Sequence, residues 1–166
     1  MTLTFDDVTV GDALPTLAVK IRARHVVMGA SSSRDWQPQH HDTHWAVKRV
    51  KVKDIFLNTP NQAGWIERYL TDWTGPNGRL GKVRFKMEAS VCAGDVLSFN
   101  ATVTDKTKDD NGVGWVDLDV RLTIASPERG EGAEGDVLAT ECTARVAVPT
   151  ADDDDPWQRR GDDWRP

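Results

Sequence analysis

The chain has 166 residues, of which 39% are hydrophobic and 28% charged, with a net charge of −5. That is enough for one domain around one core, and the balance is that of an ordinary globular protein. No apolar run reaches membrane-spanning length and no basic-then-apolar leader opens the chain, so the expectation is a cytoplasmic protein with no membrane partner.

Phe5–Asp12 reads as an entry segment ending in a turn at Gly11-Asp12. Leu17, Val19 and Ile21 alternate with Lys20 and Arg22, the period of a half-buried strand. Ala23–Ala30 loses that alternation and suits a short helix. Asp42 is placed to cap a second one, Thr43–Arg49, by accepting from first-turn amides. Val50–Lys53 is a basic, extended connection. Pro60 suits the first turn of a helix, with Asn58 or Thr59 as its cap. From there Ala63, Ile66, Leu70 and Trp73 form one apolar stripe, which Gly75-Pro76 ends. Gly64 costs roughly 1 kcal/mol inside a helix, which argues for close backbone packing at that point.

After this helix the period changes to two and stays there. Val83, Phe85 and Met87 form one strand, and Ala93-Gly94-Asp95 is a turn. Leu97 to Val103, Val116 to Ile124 and Leu138 to Val148 follow, separated by the charged turn 106–114 and a Gly/Glu-rich loop over 126–135. Consecutive alternating strands with short turns predict an antiparallel sheet with one wet face. Its dry face needs a cover, and the 60–73 helix is the only element long enough. The predicted fold class is α+β, an antiparallel sheet of about five strands curled around one central helix, over residues 1–150. Cys92 and Cys142 fall in strand-like stretches outside any CxxC pair and read as buried free thiols in a reducing compartment.

Residues 151–166 form an acidic, low-complexity tail with six aspartates and three arginines. Composition predicts a solvated, disordered segment; Trp157 and Trp164 argue for docking on the body or on a partner. Without the tail the body is nearly neutral, which leaves no basic footprint for nucleic acid.

Ser33–Ala46 holds three of the four histidines. Pro38 separates Asp35 from His40 and denies them a shared helical face. A carboxylate and an imidazole on such a constrained loop can converge on one water, although a loop Asp–His pair is more often a capped turn. His40 and His44 lie four apart, but HExxH is absent and no outside carboxylate cluster is evident, so no metal is expected. His25 reads as a surface or packing residue.

Asp35-Trp36-Gln37-Pro38-Gln39-His40-His41-Asp42, followed by Ala46, resembles the MaoC-like (R)-specific enoyl-CoA hydratase motif Asp-x-Asn-Pro-x-His-x-Asp-x-x-x-Ala. With the order strand, loop, long helix and four strands, residues 5–148 look like one hot-dog domain. Gln37 departs from the motif Asn, Arg34 from the usual preceding Gly, and Asn58-Thr59-Pro60 from the usual His-Gly opening of the central helix. Together with Lys53-Asp54-Ile55-Phe56, Gly64, Arg68 and Thr71-Asp72-Trp73, these departures resemble the small catalytic subunit of bacterial steroid side-chain enoyl-CoA hydratases, which pairs with a larger MaoC-like subunit.

The resemblance implies that Asp35 and His40 activate water for addition across the 2,3 double bond of an enoyl-CoA, with no cofactor beyond the CoA of the substrate. It implies a substrate contact at Thr59, where the family donates a helix-opening amide to the thioester oxygen. Pro60 has no N–H, so the expected donors are the Thr59 amide and the Asn58 side chain; Asn58 reads equally as a cap. The expected partner is a second MaoC-like subunit, or the chain itself in a homodimer acting on ordinary acyl chains. A non-catalytic acyl-CoA-binding or scaffolding subunit is the third reading.

Overall fold

The computed structural model describes residues 3–125 and 136–166; the loop expected over 126–135 lies outside the described residues. In chain order it contains β1 (Leu17–Lys20), α1 (Ala23–Ser32), α2 (Thr43–Trp45), α3 (Thr59–Thr74), β2 (Arg79–Met87), β3 (Val96–Lys108), β4 (Gly114–Ala125) and β5 (Val137–Val148). Every neighbouring pair of strands is antiparallel, in the order β1-β3-β4-β5-β2. This is the α+β arrangement expected from the alternation, and the hot-dog fold that the resemblance implies.

The sheet's inner face follows directly from the period of two. Leu97, Phe99, Ala101 and Val103 of β3 are buried, as are Val116, Leu118, Val120 and Leu122 of β4 and Cys142, Ala144, Val146 and Val148 of β5. They share one core with Ile66, Tyr69 and Leu70 of α3. Full burial of a side chain such as Ile66 or Leu70 contributes about 2 kcal/mol. The buried stripe of α3 is turned slightly from the expected one: Gln62 and Tyr69 are buried, whereas Ala63 and Trp73 are half-buried. Gln62 tolerates this because its Oε1 accepts from Thr140 Oγ1 at 2.8 Å, inside the core. Both cysteines are free and buried.

The expected solvated tail is instead docked. Trp164 stacks on Trp115 with ring centroids 4.8 Å apart, and the two join Val113 and Ala147 in a small cluster separate from the main core. The Arg79 guanidinium lies 3.7 Å from the centre of the Trp164 ring and donates to the Pro156 and Arg159 carbonyls. The Trp157 indole N–H reaches the Pro76 and Gly78 carbonyls at the end of α3. Acidic composition misled here because the aspartates are used locally: Asp154 accepts from Thr150 and Arg159, and Asp155 from the Trp157 amide.

Candidate active site

The loop that carries Asp35 leaves α1 through a left-handed turn. The Arg34 amide bonds the Ser31 carbonyl at 3.1 Å and the Asp35 amide the Ala30 carbonyl at 2.9 Å, the paired bonds of a Schellman helix end. Arg34 occupies the left-handed position of that motif, with φ 56°. Glycine takes this conformation freely, while an L side chain pays about 1 kcal/mol or more. The residue that departs from the familiar motif Gly thus keeps the backbone shape that Gly would supply. Asp35 is fixed in space by the end of a helix.

Pro38 then opens a single 3-10 turn, Pro38–His40, and the Asp42 amide closes back on the Pro38 carbonyl at 2.7 Å. The turn drives His40 inward to 3% exposure, edge-on to the Phe56 ring. His40 Nδ1 lies 2.7 Å from the Phe56 carbonyl oxygen. A carbonyl only accepts, so Nδ1 carries the hydrogen and Nε2 of the neutral ring holds the lone pair. The Phe56 carbonyl is itself held in place, since Ile55 and Leu57 form ladder bonds with Ala93 and Val91.

His40 Nε2 and Asp35 Oδ2 are 3.3 Å apart. Asn58 caps α3, its Oδ1 accepting from the Asn61 amide at 3.2 Å. That bond fixes Nδ2 as the donating end, and its two hydrogens go to Ser33 Oγ and to Asp35 Oδ2, each at 2.9 Å. Asn58 was expected either to offer its amide to the substrate or to serve only as a cap; it caps α3, and both its amide hydrogens bond within the chain, one of them to Asp35. The Asn58 bond is the main influence holding the Asp35 carboxyl below its ordinary range; burial opposes it, the Gln37 amide adds to it, and so does His40 whenever its ring is protonated.

Thr59 is the first residue of α3, at the exposed end beside this cluster. Its amide has no acceptor inside its own helix, and the N-terminus of a 16-residue helix favours negative charge. Asp35, His40, Asn58 and the start of α3 therefore converge. His25 stands apart, tilted against Trp65 at 6.0 Å, and among the described residues no cluster of three or more His, Cys, Asp or Glu could hold a metal ion. Sequence reasoning assigned no role to Ser33 or to the Phe56 carbonyl. Ser33 lay within the motif stretch and was legible in principle; a main-chain acceptor leaves no mark on a sequence.

Fold and loop together place the chain among hot-dog domains that carry an Asp–His pair at the foot of the central helix. No family model matches the chain. The 3-oxo-4,17-pregnadiene-20-carboxyl-CoA hydratase beta subunit of Mycobacterium tuberculosis is 35% identical over 95 residues, covering 57% of this chain and 73% of that one. A chain in the crystal structure of the ChsH1-ChsH2 complex from the same organism superposes with a TM-score of 0.70 at 27% identity, over 84% of this chain and 98% of the other. The R-hydratase PhaJ1 of Pseudomonas aeruginosa shares the fold, with a TM-score of 0.74 over 90% of this chain and 88% of its own, at 16% identity. The chain belongs to the MaoC-like hydratase family and is similar to the steroid hydratase beta subunit.

Proposed function

We propose that the chain adds water across the trans-2,3 double bond of an enoyl-CoA, or removes it in reverse, with Asp35 and His40 as the catalytic pair. The observation that carries this is the 3.3 Å approach of two acceptors, Asp35 Oδ2 and the Nε2 of a ring whose other nitrogen is committed to the Phe56 carbonyl. Two acceptors do not bond each other, but they do hold the two hydrogens of one water and leave its oxygen lone pairs facing outward. Attack on C3 releases one water proton to the pair and builds negative charge on the thioester oxygen. The Thr59 amide and the α3 N-terminus answer that charge. A proton returned from the pair to C2 completes the addition. No group is needed beyond the CoA that the substrate brings.

The acyl group is proposed to be a steroid side chain and the working form a hetero-oligomer with a second MaoC-like subunit. Support comes from the pregnadiene-carboxyl-CoA hydratase relative and from the likeness to a chain of a two-protein complex. A cytoplasmic setting suits the two free thiols. The test is hydration of a steroid enoyl-CoA and a short straight-chain enoyl-CoA by the chain alone and with a larger MaoC-like subunit. Steroid turnover only in the pair supports the heteromeric reading. Short-chain turnover by the chain alone makes it a homomeric hydratase, and no turnover of either by folded protein makes it a binding subunit.

A further inference from the structure

The Phe56 carbonyl that sets the His40 tautomer lies outside the five strands of the sheet. Residues 55–57 pair with 91–93 through two backbone bonds. The Leu57 amide donates to the Val91 carbonyl and the Ala93 amide to the Ile55 carbonyl, each at 2.9 Å. Phe56 and Cys92 are therefore the opposed pair whose own polar groups point away from each other. On one flank the Phe56 carbonyl accepts from His40. On the other the Cys92 amide donates to Asp95 Oδ2 at 2.7 Å.

Asp95 is only 2% exposed. Taking a carboxylate out of water is costly unless it is paired and hydrogen-bonded. Its second partner is the Lys53 ammonium, 2.5 Å from Oδ1. Its main chain is engaged as well. The Asp95 amide closes the 92–95 turn on the Cys92 carbonyl, and its carbonyl accepts from the Ile21 amide at 2.8 Å. The Gly94 amide returns to the Ile21 carbonyl. Ile21 directly precedes Arg22, the cap of α1, and the far end of that helix carries Asp35. Lys53 stands two residues before Ile55. One buried carboxylate thus ties the segment that directs His40 both to the 92–95 turn and to the root of the helix that holds Asp35.

We propose that Asp95 and Lys53 are positioning residues for the hydration step, acting through the Phe56 carbonyl to keep the hydrogen on His40 Nδ1 and the Nε2 lone pair turned toward Asp35. The inference rests on the hydratase reading above. Proton transfer needs its groups held to within about half an ångström, and a ladder of two backbone bonds is a short support for that. The ion pair adds a third tie on the flank opposite His40, where it steadies the ladder without entering the site. An uncharged Asn or Ser at 95 could satisfy the Cys92 amide. Only a charge also draws in the Lys53 ammonium, and with it the segment that leads to Phe56.

The test compares Asp95→Asn, Lys53→Met and Lys53→Arg with the parent chain, supplied with its partner subunit where turnover requires one. Two readouts are taken at a temperature where each protein is folded. One is kcat and KM on an enoyl-CoA; the other is the nitrogen NMR signals of the His40 ring, which report which nitrogen carries the hydrogen. Asp95→Asn and Lys53→Met are expected to lower kcat about tenfold or more, with KM within about twofold, and to move the His40 signals away from the Nδ1–H form. Lys53→Arg keeps the charge and should recover about half of the parental kcat or more. The double variant Asp95→Asn with Lys53→Met should be no slower than Asp95→Asn alone, because the pair acts as one unit. Asp117→Asn, which breaks the Arg145 ion pair on the outer face of the sheet, should leave both readouts parental. The Lys53 side chain is 30% exposed, so Lys53→Met decides the matter should Asp95→Asn fail to fold. Parental readouts in Lys53→Met overturn the proposal, whatever its melting temperature, as does a change in only one of the two. A parent chain that hydrates no enoyl-CoA removes the hydratase reading alone, since the His40 signals judge the positioning without turnover.

Discussion

At the scale of single residues, Asn58 decides how the site is poised. One buried side chain caps α3, accepts from Asn61, and spends its two hydrogens on Ser33 and Asp35. Asn58→Ala should lower kcat by about 10²-fold, the usual cost of letting a reacting group drift by an ångström. It should also let the Asp35 carboxyl rise toward its ordinary pKa near 3.9, because the bond that most lowers it is gone. The sign for stability follows from linkage. A carboxyl held low in the folded state stabilises the fold above its unfolded pKa, and that stabilisation is lost as pH falls through the folded value. The variant should therefore lose stability at pH 6 relative to the parent, with the difference shrinking in strong acid. Carboxyl titration by NMR with denaturation at both pH values measures this. That Asp35 and His40 meet was legible chiefly through the motif resemblance, since an acid and an imidazole either side of Pro38 read by themselves more often as a capped turn. The second use of Asn58 was not, since a cap residue looks the same whether its amide is idle or occupied.

At the scale of elements, α3 joins packing to chemistry. Its inner face holds the core, and on the proposed reading its Thr59 amide answers the charge that develops on the thioester oxygen. Thr59→Pro isolates that second function: proline is tolerated at the first helical position, and Asn58 already has the extended conformation, φ −82° and ψ 168°, that a following proline requires. The variant should keep its melting temperature within a few degrees and lose about 10²–10³ in kcat, the cost of deleting one oxyanion donor. Retained turnover would move the donor elsewhere. The helix itself was readable from the spacing of Ile66 and Leu70 and from Asn58 and Pro60 at its start. The open space over Gly64 was not, because a lone glycine inside a helix signals close packing and open space equally.

At the scale of the whole molecule, the chain closes on itself through its last sixteen residues. The tail covers Trp115, Val113 and Ala147 on a sheet that would otherwise show them to solvent. Trp164→Ala should cost about 2 kcal/mol, combining lost aromatic burial with the lost Arg79 stacking, as read by urea denaturation. A change below about 0.5 kcal/mol would make the docking incidental. The five-strand sheet was legible because alternation survives sequence change on either face. The tail was not, because six aspartates dominate its composition while two tryptophans and one distant arginine decide its position.

The measurement that bears most directly on the central claim is turnover of an enoyl-CoA by Asp35→Asn beside the parent chain, with thermal melting on both. The amide preserves the shape of the side chain and removes the negative charge that orients the water. The account predicts a loss of at least about 10³-fold in kcat with the fold retained. Near-parental turnover in a folded Asp35→Asn protein would contradict it.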